Sequence, residues 1–88
     1  MKLKENFMLR QVAGSYVVVA VGDACVDFDG MLTLNESGAL LWRTLEQGAD
    51  RDGLTAALTA EYDVQPTQAQ ADVEEFISSL RDAGCLAE

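Results

Sequence analysis

Three carboxylates, Asp72, Glu74 and Glu75, lie within four positions of one another. Helical spacing would bring some of them together as a general acid and base, or as ligands for a divalent ion. The same residues in the first turns of a helix would be stabilised by its dipole and otherwise form a solvated face, and that is the reading we expect to hold. The sequence has no histidine, which removes Ser-His and Cys-His nucleophile pairs and leaves zinc only two cysteines and carboxylates. No GxGxxG, GxxxxGK[ST] or calcium-loop spacing occurs to carry nucleotide or EF-hand chemistry. With no titratable constellation poised for neutral pH, carboxylates alone would need large burial shifts, so catalysis, a metal and a cofactor are not expected.

Two further residues could do work. Trp42 could offer its indole as a stacking platform, but it sits in an apolar helical stripe, where the ring is expected to fill the core. Ser37 is the candidate attachment point if this acidic chain were an acyl carrier protein. Its context, Glu36-Ser37-Gly38, is not the Asp-Ser-Leu that family requires, and the strand-rich first half does not fit an all-helical fold.

Charge narrows the partners. Fifteen acidic against six basic residues give a net charge of −9 in 88 residues. Nucleic-acid affinity rests largely on Lys and Arg neutralising phosphates, and the six cations here are scattered, so DNA and RNA are excluded as partners. The imbalance lies in the second half: residues 1–34 carry three basic and four acidic side chains, residues 35–88 three basic and eleven acidic. No apolar run is long enough to span a bilayer, and MKLKENF lacks the apolar core of a signal peptide, so a cytoplasmic protein without membrane contact is expected. In a reducing cytosol Cys25 and Cys85 are expected as buried free thiols.

These residues must be positioned by a single domain spanning 1–88, because the length leaves no room for a second core. Phe7 and Leu9 alternate with Met8 and Arg10, and after Ala13-Gly14 comes a β-branched run over 16–21, predicting a hairpin. Gly22-Asp23 breaks the run, Val26 and Phe28 alternate with Cys25 and Asp27, and Asp29-Gly30 is a hairpin signal before Met31, Leu32, Thr33 and Leu34. Asn35 can cap a helix over roughly 36–47, with Leu41, Trp42 and Leu45 as its stripe and Gly48 as its stop. Asp50 can cap a second helix through Glu61. Pro66 or Thr67 opens a third, with Thr67 and Gln70 at capping-box spacing, Ala69, Val73, Phe76, Ile77 and Leu80 on one face, and Gly84 at its end, after which Leu86 can fold back. The fold class is α+β: a three-stranded antiparallel sheet followed by three helices.

The stretch LNESGALLW at 34–42, FMLRQV at 7–12, YVVV at 16–19, EYDV at 61–64 and DVEEF at 72–76, with Leu80 and Gly84, resembles the PqqD-like proteins in order and spacing over about nine tenths of the chain. The resemblance implies a winged-helix-like arrangement of the same elements, and a function. Such proteins bind the leader segment of a ribosomally made precursor peptide and present it to a modifying enzyme, often a radical S-adenosylmethionine enzyme. The leader adds as a strand to the edge of the third strand, in a groove bordered by the third helix. Main-chain bonding needs an exposed edge more than particular side chains, and the facing pockets select among sequences. Carried over, Met31, Leu32, Thr33 and Leu34 supply the edge, Val73 and Phe76 line the pocket, and Asp72, Ser79 and Ala83 form the rim, with Glu75 as the solvated alternative. An acidic rim would favour a leader carrying Lys or Arg. The alternative is a winged-helix-like interaction module that forms a homodimer or docks a protein through the same edge without a leader.

Overall fold

The computed structural model describes residues 2–4, 7–20 and 32–86. Three strands, β1 (Phe7–Val12), β2 (Ser15–Ala20) and β3 (Leu32–Leu34), precede three helices, α1 (Glu36–Glu46), α2 (Arg51–Glu61) and α3 (Pro66–Ala83). The sheet is antiparallel throughout, in the order β1-β2-β3. Cys25, Val26, Phe28, Asp29-Gly30 and Met31, to which the sequence assigned an alternating run, a hairpin and part of the edge, lie outside the described residues.

Ala13 and Gly14 turn the first hairpin with φ of +50° and +81°, and positive φ at both central residues suits a two-residue turn between right-twisted strands. Val12 is thereby set opposite Ser15, and the register runs to Phe7 opposite Ala20. In β3, Leu34 pairs with Tyr16 and Leu32 with Val18, which puts both leucines on the face that meets the helices, while Thr33, opposite Val17, faces away. Met8 and Val12 on the outer face are 45% and 55% exposed.

The helix ends follow the capping residues. Asn35 Oδ1 accepts from the Gly38 N–H at 2.8 Å and from the Ser37 hydroxyl at 3.0 Å, and Asp50 Oδ1 accepts from the Gly53 N–H at 2.8 Å. Each satisfies an N–H that the first turn leaves without an intrahelical partner. The capping box expected at Thr67 and Gln70 does not form: α3 begins at Pro66, its N-cap is Gln65, and no side chain caps it. The fixed φ of proline suits the first helical position, which leaves Thr67 two residues inside the N-cap position. That start also places Asp72 beyond the first turn, so the helix dipole is not what stabilises it. At the other end Gly84 takes φ +78° and the Cys85 N–H reaches the Leu80 carbonyl at 2.9 Å, reversing the chain. Leu86 then folds back to bridge Leu3, as the sequence suggests.

The core lies between the sheet and the helices. Val18 and Leu34 from the sheet meet Trp42, Leu45, Leu54, Leu58, Ile77 and Leu80 from all three helices. Trp42 is fully buried, and its indole N–H has no hydrogen-bond partner among the described residues. Arg43, one residue on, places its guanidinium 5.5 Å from the centre of the Tyr16 ring and so ties α1 to β2 from outside. The only salt bridge among the described residues, Arg51 to Glu74 at 2.6 Å between α2 and α3, is more than half exposed on both sides and contributes at most about 1 kcal/mol.

Cys85 is a free, fully buried thiol. Burial pushes its pKa up, and nearby Lys4 offsets part of the rise. A thiol whose folded pKa lies above the unfolded value of about 8.5 stabilises the fold at neutral pH and loses that contribution as pH climbs through the folded pKa. Urea midpoints measured between pH 7 and pH 10 should therefore fall more steeply for the natural chain than for Cys85→Ala. Equal slopes would show that the thiol does not couple to folding.

Candidate functional site

A cleft of about 350 Å³ opens between β3, the first turn of α1 and one side of α3. Its helical wall is Asp72, Glu75, Phe76 and Ser79, the i, i+3, i+4, i+7 spacing of a single helix face, spanning about 10 Å. Its opposite wall is Leu32, Thr33 and Leu34, which from first to last Cα span about 7 Å. β3 is the outermost strand on this side, paired only with β2 among the described residues. The cleft therefore borders an edge of β3 that pairs with no other strand among the described residues, and backbone N–H and C=O groups on such an edge can accept another strand.

The end of the cleft is closed by Asn35, Ser37, Gly38 and Leu41, which the sequence reading left out of the site. Their presence follows from chain economy: α1 starts one residue after β3 ends, so its first turn must flank the end of that strand. Gly38 eases this approach: a Cβ there would lie 3.2 Å from both Leu34 Cβ and Asn35 Oδ1, a tight contact to which the strand or the cap would have to yield by a few tenths of an ångström.

The structure brings together Leu32, Thr33, Leu34, Asp72, Phe76 and Ser79, and adds Glu75. Val73 is not among them: at 1% exposure it sits inside the core and offers a peptide no surface. Ala83 is half-buried against the core and lies outside the cleft, although it continues the 72–76–79 face by one further turn. Phe76, at 7% exposure, is the residue shared by core and cleft. One edge of its ring is fixed by packing, so the apolar patch it shows to the cleft is rigid.

The polar groups of the wall are modestly engaged. The Gln68 amide donates to Asp72 Oδ1 at 2.9 Å, and the Ser79 hydroxyl donates to the Glu75 carbonyl at 3.1 Å. The carboxylates Asp72 and Glu75 meet no lysine or arginine in the cleft wall, which leaves the cleft negative. Glu74 points the other way, to Arg51, so the three carboxylates do not converge. Among the described residues no group of three or more potential ligands could hold a metal ion. No helix among them is long and apolar enough to cross a membrane. What the arrangement can do is hold an extended chain, by its backbone on β3 and by alternate side chains against Phe76 and the acidic rim.

Comparison with known proteins bears on this geometry. The family model described as "Coenzyme PQQ synthesis protein D (PqqD)" matches residues 15–86. No curated protein sequence matches significantly. Among solved structures, TbiB1 in complex with the TbiA(beta) leader peptide superposes with a TM-score of 0.77 at 20% identity, covering all of both chains. A lasso peptide synthetase B1 complexed with its leader peptide gives 0.78 at 24% identity, covering 99% of this chain and 96% of that one. At these identities the two likenesses establish the fold.

Proposed function

Because the chain belongs to the PqqD family, we propose that it binds the leader segment of a ribosomally made precursor peptide and presents that peptide to a modifying enzyme, itself catalysing nothing. The observation that carries this reading is the edge of β3, unpaired on that side among the described residues, facing the Asp72, Glu75, Phe76 and Ser79 wall across the cleft. Both structural neighbours were solved with leader peptides bound, and the fold they share with this chain supports the reading. The leader adds antiparallel or parallel to Leu32, Thr33 and Leu34. Phe76 selects an apolar side chain, and Asp72, Glu75 and Ser79 form the rim. Val73 acts from behind, by holding Phe76 and Ile77 in place. The partner in this reading is a cytoplasmic tailoring enzyme, a radical S-adenosylmethionine enzyme being the family's frequent choice.

A fluorescence-polarisation titration with the leader peptides encoded beside the gene, against a scrambled control, tests the reading. Saturable binding of one leader at micromolar affinity, about −8 kcal/mol, or tighter is expected. No preference over the scrambled peptide, together with a mass in light scattering that rises with concentration, would instead assign the β3 edge to self-association.

A further inference from the structure

A second hollow, of about 410 Å³, lies just past the Leu34 end of the cleft. Its floor is apolar, made by Leu58 and Tyr62 at the end of α2 and by Val64 in the segment leading to α3. Its rim is Asn35, Glu36, Ser37 and Asp72. Three of these, Asn35, Ser37 and Asp72, also line the cleft, so the two form one continuous depression that turns the corner of the α1 N-terminus. Leu58 belongs to the core, and Tyr62 and Val64 pack against it, so the floor is held by the fold.

The chemistry of the hollow is specific. A side chain entering it meets an apolar bed first and carboxylates at the mouth, Glu36 from α1 and Asp72 from α3, and no lysine or arginine lines it. Neither carboxylate is tied up by a cation: Asp72 is bonded only by the neutral Gln68 amide, and the one salt bridge among the described residues lies elsewhere. A purely apolar side chain would leave the two carboxylates close over its end with no counter-charge. A long side chain with a methylene stem and a cationic head satisfies both parts, laying the stem on Leu58, Tyr62 and Val64 and keeping the head at the rim.

The geometry points to this hollow as a separate subsite for a lysine or arginine of the bound peptide, at the residue that continues past the Leu34 end of the added strand. The inference rests on the peptide-binding reading above and deepens it. Strand addition fixes the peptide's backbone, and this subsite sets which leaders are accepted by one flanking cation.

The test uses the full chain and whichever leader binds in the titration above. Each of the four residues flanking its bound segment on either side is replaced in turn by lysine, norleucine or glutamate. At one position, and on one flank only, lysine should bind about ten-fold more tightly than norleucine and more tightly still than glutamate. Glu36→Gln, which alters the hollow but not the lining of the cleft, should sharply reduce that preference while leaving the norleucine peptide's affinity within about two-fold. Glu75→Gln, which alters the cleft but not the hollow, should preserve the preference. If the leader binds but lysine and norleucine are equivalent at every flanking position, or if Glu75→Gln removes the preference as fully as Glu36→Gln, the subsite is wrong while leader binding stands. If no leader binds at all, the underlying reading fails and takes the subsite with it.

Discussion

Replacing Trp42 by alanine should leave the chain largely unfolded at 37 °C. The indole is fully buried where α1 meets the sheet side of the core, in one cluster with Val18, Leu45, Leu54 and Leu80. Truncating a buried Trp or Phe to alanine costs about 3–5 kcal/mol, and a domain of this size has only about 4–13 kcal/mol in total. The indole N–H, which has no partner among the described residues, makes a second variant informative. Trp42→Phe loses volume but also removes a buried unsatisfied donor, whose desolvation costs about 1–3 kcal/mol. It should therefore be far milder than alanine. Urea denaturation followed by circular dichroism checks both, and a Trp42→Ala midpoint close to that of the natural chain would contradict the packing described.

The second large effect concerns Phe76, and here stability and binding must be separated. Phe76→Ala should lower stability by about 3 kcal/mol, because the ring is mostly core. It should also weaken leader binding at least ten-fold, because the ring is the apolar part of the α3 wall. Its neighbour Ile77 provides the control, being 1% exposed in the same cluster but absent from the cleft. Ile77→Ala should cost a comparable 2–5 kcal/mol and, at a temperature where the variant remains folded, leave the affinity unchanged. Isothermal titration of both variants under such conditions decides the matter. Equal losses of affinity would mean that Phe76 acts only by supporting the fold.

The contrast between Phe76 and Val73 shows where sequence reasoning stops. Both fall on the same 3.6-residue period as Ala69, Ile77 and Leu80, so periodicity marks one apolar face without saying which part of it turns towards β3. That depends on how α3 is rotated against the sheet, a tertiary property. The rim of the site was harder still: Asn35, Ser37, Gly38 and Leu41 read as cap and helix, and they become cleft residues only because β3 and α1 are joined by a single residue. The element order, by contrast, was legible from local chemistry. Asn35 and Asp50 are short acceptors placed at helix starts, and Gly48 and Gly84 occupy left-handed positions at helix ends. The turn at Ala13-Gly14 separates an alternating run from a β-branched one. The capping box at Thr67 misled because Pro66, immediately before it, is itself a strong helix opener.

The edge of β3 carries the functional reading, and backbone chemistry tests it more directly than any side-chain change. Strand addition pairs every second residue of the incoming peptide with the edge, while the residues between point their N–H groups away. A bound leader resynthesised with single backbone N-methylations should therefore lose affinity with a period of two. Each inward-facing methylation removes a donor, strands an acceptor on β3 and adds a clash, which together amount to about ten- to a hundred-fold. The intervening positions should stay within about two-fold. Losses that follow a period of three to four, or no period at all, would show that the peptide does not join the sheet and would contradict the account.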